Sequence, residues 1–208
     1  MSYDYLFKII FIGDTNVGKT AFVDRLINDR FVSRRDSTIG VDFATILNIV
    51  NNQYRIKSHI WDTAGQKQFS SIISNYYKGI AGVAIIFDVN RISSFKKVEF
   101  WRQEFEQNKN HASKISTILI GNKTDENNRT VPEIVARNYA EENGMLYIET
   151  SAKNNKNIHK SFQLLLEDIC NNMDTNDLGI GIRRHFSYKK KEVVRDDSCG
   201  FWDCCCIS

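Results

Sequence analysis

Residues 13–20 read GDTNVGKT, a full match to the pattern GxxxxGK[ST]. Gly13 and Gly18 permit a tight backbone path. The N–H groups of the turn, from Asp14, Thr15, Asn16 and Val17 through Ala21, can then point inward and cradle a chain of phosphates. Lys19 adds a point charge for the outer two phosphates, and Thr20 offers a hydroxyl to Mg²⁺. This motif implies a nucleoside triphosphate and leaves the base open.

The base is answered further along. Asn122, Lys123, Thr124 and Asp125 form an NKxD run. An ionised carboxylate only accepts hydrogen bonds. Guanine presents two adjacent donors, N1–H and the 2-amino group, and Asp125 can take both. Adenine presents neither and would leave Asp125 unpaired. Ser151, Ala152 and Lys153 follow the last expected strand, where a backbone N–H can donate to guanine O6.

Between these motifs, residues 61–66 read WDTAGQ. Asp62 is placed to hold Mg²⁺, Gly65 to bring a backbone N–H to the γ-phosphate, and Gln66 to orient an attacking water. Thr38 can complete the metal shell when the γ-phosphate is present. Two loops held by one phosphate and its metal would relax once that phosphate is cleaved. Arg34 and Arg35 read as solvated loop charges. With no arginine of its own to finish the site, the chain should hydrolyse GTP slowly, on the order of 10⁻⁴–10⁻³ s⁻¹, and faster with a partner.

These motifs need strand ends to carry them. Apolar runs of strand length lie at 6–12, 43–50, 54–61, 82–89, 115–120 and 145–149. Amphipathic helical patterns follow residue 20 and cover 93–110, 132–143 and 157–173, with Pro132 suited to a first turn. The expected fold is α/β: six strands in a mostly parallel sheet, one antiparallel edge strand from the 43–61 hairpin, and helices on both faces. Each motif then falls at a carboxyl strand end, where open α/β sheets bind ligands. Domain boundaries are expected at 1–173 for the folded unit and 174–208 for a flexible tail, where periodicity stops.

Composition excludes several classes. The net charge is +3, too small for a general nucleic-acid binder. Residues 174–208 hold six cations and six anions, yet five of those cations lie within 183–191 without an acid. That local patch suits an anionic membrane surface. Four of the five cysteines stand in the last ten residues, which is neither a disulfide framework nor a zinc site. Cys170 lies on a helix and reads as core. No signal peptide or spanning stretch is expected, and Ser2 excludes N-myristoylation.

Over about 3–173 the sequence resembles the Rab family of Ras-like small GTPases, a branch of the P-loop NTPases. GDTNVGKT, STIGVDF, WDTAGQ, NYYKGI, GNKTD and SAK occur in family order. The resemblance implies a GTP-binding and GTP-hydrolysing switch that recruits effectors in vesicle traffic. It implies an exchange factor, a GTPase-activating protein, a dissociation inhibitor and a prenylation escort as partners. A monomer in solution is expected, on the cytoplasmic face of an intracellular or plasma membrane and cycling with cytosol. It also implies that Phe31 packs edge-on against the guanine and that Phe43, Trp61 and Tyr76 present an effector surface. Lys67, Gln68 to Ser71 and Asn16 depart from the family pattern. Lys67 favours an alternative, a hydrolysis-impaired decoy that sequesters regulators; Gln66 and Thr38 oppose it. The Asn-, Ile- and Lys-rich composition points to an AT-rich genome, of a protist or a large DNA virus of such hosts.

The last five residues are Cys204, Cys205, Cys206, Ile207 and Ser208. Cys205 fits C-a-a-X with terminal serine, a farnesylation pattern. The resemblance implies instead geranylgeranyl groups on Cys205 and Cys206. Two chains also anchor more firmly than one, at about 0.8 kcal/mol per buried CH₂. Cys204 is a palmitoylation candidate.

Overall fold

Every residue of 82–88 is buried, and this stretch is the central strand of the sheet. The computed structural model describes residues 2–33, 38, 40–66, 73–109, 115–173 and 182–184. The strands are β1 (Tyr5–Ile12), β2 (Val41–Val50), β3 (Tyr54–Thr63), β4 (Gly82–Asp88), β5 (Ser116–Asn122), β6 (Leu146–Glu149) and β7 (Ile182–Arg184). The helices are α1 (Lys19–Asn28), α2 (Ile92–Lys96), α3 (Val98–Asn108), α4 (Glu133–Glu142) and α5 (Ile158–Asn171), with a 3₁₀ turn at Ser74–Tyr77.

The main sheet has six strands in the order β2-β3-β1-β4-β5-β6. All its pairings are parallel except the β2–β3 hairpin. Parallel pairing brings carboxyl ends together: Phe11 opposes Asp62, Asp88 opposes Asn122, and Gly121 opposes Glu149.

Side chains alternate across β1, so its two faces feed two cores. Phe7, Ile9 and Phe11 pack with Phe22 and Leu26 of α1 and Phe162, Leu165 and Leu166 of α5. Ile10 and Ile12 pack with Trp101 and Phe105 of α3 and Ala136 and Ala140 of α4. Each fully buried large apolar side chain contributes about 1.5–3 kcal/mol. The α5 stripe, Ile158, Phe162, Leu165, Leu166 and Ile169, recurs at helical spacing. Cys170 is half-buried against the same core.

Three details differ from the sequence expectation. The single helix expected at 93–110 is broken at Lys97, between α2 and α3. Pro132 is the N-cap of α4, one position ahead of the first turn; its extended backbone (ψ 139°) enters the helix while its carbonyl accepts from Ala136. The third is β7, which lies inside 174–208 and pairs antiparallel with the start of β1, Arg184 opposite Tyr5 and Ile182 opposite Phe7. That edge of β1 is open to it because β4 pairs with β1 only from Ile9 onward.

Candidate functional site

The turn after β1 depends on backbone that only glycine tolerates at its first position. Gly13 has φ +143°, and a Cβ there would stand 2.2 Å from the carbonyl oxygen of Ile86. Asn16 sits at φ +59°, a left-handed conformation that asparagine adopts more readily than most residues. The turn opens on a cleft of about 350 Å³. Thr15, Asn16, Gly18, Lys19, Thr20 and Ala21 line it from one side, and Phe31, Val32, Ser33, Thr38, Thr63, Gly65, Gln66 and Lys123 from the others.

Lys19 is buried, and its ammonium donates to the carbonyls of Gly13 (3.0 Å) and Asp14 (2.9 Å). Burial lowers its pKa to about 8, against the pull of Asp62 and Asp14. Beside it, Thr20 Oγ1 donates to Asp62 Oδ2 at 2.5 Å and lies 2.7 Å from Thr38 Oγ1. Three side-chain oxygens from α1, the loop before β2 and the end of β3 thus meet around the Thr20 hydroxyl. Gly65 lies flat against the turn. A Cβ there would be 2.4 Å from both the carbonyl carbon of Asp14 and the nitrogen of Thr15.

At the other end, Asn122 ties three loops together. Its Nδ2 donates to Val17 O (2.9 Å); its Oδ1 accepts from Thr150 Oγ1 (3.2 Å) and the Ala152 N–H (3.4 Å). Ser151 Oγ donates to Asp125 Oδ1 at 2.5 Å, and Lys153 Nζ lies 3.8 Å from Asp125 Oδ2. The Asp125 side chain is 6% exposed. Lys123 takes φ +66° and pairs with Asp88 at 2.8 Å.

A model of the Ras family matches residues 8–171. The chain belongs to the Ras family. It is 42% identical over 181 residues to the GTP-binding protein ypt3 of Schizosaccharomyces pombe, covering 86% of this chain and 83% of that protein. It is also 42% identical over 169 residues to the Ras-related protein RABA2a of Arabidopsis thaliana, covering 80% and 76%. Within the Ras family the chain is thus of the Rab type.

In this Ras-family chain the structure gathers the motif residues expected to meet, from 13–21, 38, 62, 65, 66, 122–125 and 151–153, along one edge of the sheet. Phe31 lines the cleft and leans on the α1 core. Phe43, Trp61 and Tyr76 form a contiguous row, with ring centroids 5.0 and 4.9 Å apart. Phe43 is 47% exposed, while Trp61 and Tyr76 are half-buried and pack against the second core, so the row runs from surface into core. Arg34, Arg35, Lys67, Gln68 to Ser71, Cys199 and Cys204 to Cys206 lie outside the described residues.

Several contributors carry no motif. Arg25 on α1 donates to the carbonyls of Ala152 (2.9 Å) and Lys153 (3.2 Å). Asn90 donates to the Lys123 carbonyl at 2.9 Å. Arg91 and Lys97 both reach Asp14. Each is an ordinary polar residue on a helix or loop, and only three-dimensional proximity reveals it.

Proposed function

We propose that the chain is a guanine-nucleotide switch of the Rab type, which binds GTP, hydrolyses it and offers partners a different surface in each state. One observation carries this reading. The Asn122 side chain joins the phosphate turn, at Val17, to the base-reading loop, at Ala152 and Thr150. Asp125, held by Ser151, therefore stands at a fixed place relative to the phosphate cradle.

Asp125 accepts from guanine N1–H and the 2-amino group. Two charge-assisted bonds at roughly 1.5–3 kcal/mol each give a preference of several hundredfold over adenine. Lys153, Ala152 and Lys123 frame the ring, and Phe31 covers it. The N–H groups of 14–21 and the Lys19 ammonium receive the phosphates. Thr20, Thr38 and Asp62 supply oxygen ligands only, the donor set Mg²⁺ prefers. A metal ion held by these oxygens would supply positive charge that offsets the charge on the outer phosphates. Gln66 orients the attacking water, and the Gly65 N–H meets the γ-phosphate. Thr38 and Gly65 lose their partner when that phosphate leaves, which biases the loops carrying them.

Regulators and effectors meet these loops and the Phe43, Trp61 and Tyr76 row. The 1–173 domain is joined to a membrane by lipid on Cys205 and Cys206 through 174–208. Competition of GTP and ATP for the purified protein tests the nucleotide assignment. GTP should win by several hundredfold; equal displacement would overturn it. Single-turnover hydrolysis on GTP-loaded protein tests the enzyme, and intact mass from eukaryotic cells tests the two isoprenoids.

A further inference from the structure

Two cations outside the nucleotide motifs converge on the phosphate turn. Lys97, at the break between α2 and α3, places its ammonium 2.9 and 3.0 Å from the two carboxylate oxygens of Asp14. Arg91 lies 3.6 Å from Asp14 Oδ2 and donates to the carbonyl of Thr15. The Asp14 side chain is only 6% exposed, whereas Lys97 is 42% exposed. A buried carboxylate gripped at both oxygens holds its backbone firmly, because releasing either partner strands a charge.

That backbone is where the reacting groups rest. The Asp14 carbonyl accepts from Lys19. Gly65 sits on the Asp14–Thr15 peptide with no room for a Cβ, and Gln66 is the next residue. The Asp14–Thr15 peptide is thus one contact shared by Lys19, which the Gly13 carbonyl also holds, and by the Gly65–Gln66 segment. Lys97 makes the shortest contacts to the Asp14 side chain, with Arg91 beside it.

We propose that Lys97 is a positioning residue for γ-phosphate cleavage. It acts through Asp14, by fixing the peptide on which Gly65 and Gln66 seat. The proposal rests on the hydrolase reading above. It adds a residue that touches neither nucleotide nor metal, and whose effect should fall on the chemical step more than on binding. Base contacts are made elsewhere, and the remaining N–H groups of the turn still hold a bound diphosphate, so nucleotide release should change less than hydrolysis. Small displacements of catalytic groups from remote substitutions are costly in rate.

The test compares single-turnover GTP hydrolysis, GDP release and thermal midpoint in the full chain and its variants. Lys97→Met should slow hydrolysis about five- to tenfold while GDP release changes less than about twofold. Lys97→Arg keeps the charge and should restore most of the rate. Asp14→Asn should lose a similar factor, and the double variant should lose no more than either alone. Three results would overturn the proposal: an unchanged rate in Lys97→Met, equal acceleration of GDP release, or additive losses in the double variant. Absence of hydrolysis in the parent chain would instead strike the underlying functional reading, so the two failures are distinguishable.

Discussion

At the base end of the cleft, Asn122, Thr150, Ser151 and Asp125 bond to one another and to neighbouring backbone. At the phosphate end, the Lys19 ammonium donates to carbonyls of its own turn, and the Thr20 hydroxyl bonds both Thr38 and Asp62. The two ends are held in different ways. At the base end Asp125 keeps acceptor capacity for a guanine edge beside its Ser151 bond, and the long Ala152 N–H contact to Asn122 (3.4 Å) is the one that would yield. The phosphate-end bonds occupy the groups that a triphosphate and its metal would claim. Recognition of the base therefore needs little rearrangement, while the phosphate end must exchange partners. A conformational response to the nucleotide belongs at that second end.

The largest effect should come from breaking the prebuilt end. Asp125→Ala removes both acceptors for the guanine edge. GTP affinity should fall by roughly 3–6 kcal/mol, and the preference over ATP should vanish. Competition binding with the two nucleotides reads this directly. Asp125→Asn keeps the shape but presents a donor, and it should favour xanthine nucleotides over guanine. Retained GTP selectivity in either variant would mean that the base end is not where guanine is read.

At the phosphate end, Gln66→Ala should leave GTP affinity within about twofold and slow single-turnover hydrolysis about tenfold to a hundredfold. The contrast with Asp125→Ala is the point: one end should control which nucleotide binds, the other how long it survives. A Gln66 variant that hydrolyses at the parent rate would remove the chemical half of the comparison.

Buried polar groups that do not line the cleft form a second contrast. Both Glu104 carboxylate oxygens and the Tyr77 hydroxyl are buried without a hydrogen-bond partner, where α3 meets the 3₁₀ turn. Burial raises the Glu104 pKa to about 7 from an ordinary 4.5. The folded chain thus binds more protons than the unfolded chain between about pH 4.5 and 7, and Glu104 makes stability fall as pH rises through that window. Glu104→Gln should flatten this dependence. It should gain about 1–2 kcal/mol at pH 8 relative to the parent, a range discounted for the solvent-facing part of the side chain. Chemical denaturation at pH 5 and pH 8 measures it. A steeper pH profile in the variant would show that another group governs the window.

How much of this was legible before the structure depends on the range of the interaction. The six strands announced themselves as apolar runs of strand length, which β1, β4 and β5 bury almost whole and the edge strands β2 and β6 bury only in part. The glycine-bounded turn, NKxD and SAK are short-range patterns that bonded geometry and strand ends place together. Lys97, Arg91 and Arg25 could not be read that way. Each is one charge on an ordinary helix or loop, and its partner lies 76 to 128 residues away in the chain. β7 was hidden for another reason: three residues show no periodicity, and only the open edge of β1 gives them a place. The break at Lys97 was masked because helical spacing continues across it.

The smallest effect sharpens the comparison most. Arg25 has a side chain 15% exposed and spans from α1 to the carbonyls of Ala152 and Lys153, while its Nη1 also meets Asp29 O at 2.7 Å. Asn155 completes the link by donating to Asp29 Oδ1 at 2.9 Å. Arg25 touches neither expected ligand end, yet it braces the 151–153 loop, from which a backbone N–H is expected to reach guanine O6. If the base end gains its affinity from being built beforehand, loosening this brace should add an ordering cost to binding. Arg25→Ala should raise the GDP release rate about three- to tenfold, about 1 kcal/mol and less than one charge-assisted hydrogen bond because the loss reaches the ligand only through the loop. Single-turnover hydrolysis should stay within about twofold, since no part of the phosphate end leans on Arg25. Release measured by displacement of a fluorescent GDP separates the two. If Arg25→Ala slowed hydrolysis as strongly as it speeded release, the two ends would be one coupled unit and the distinction between them would fail.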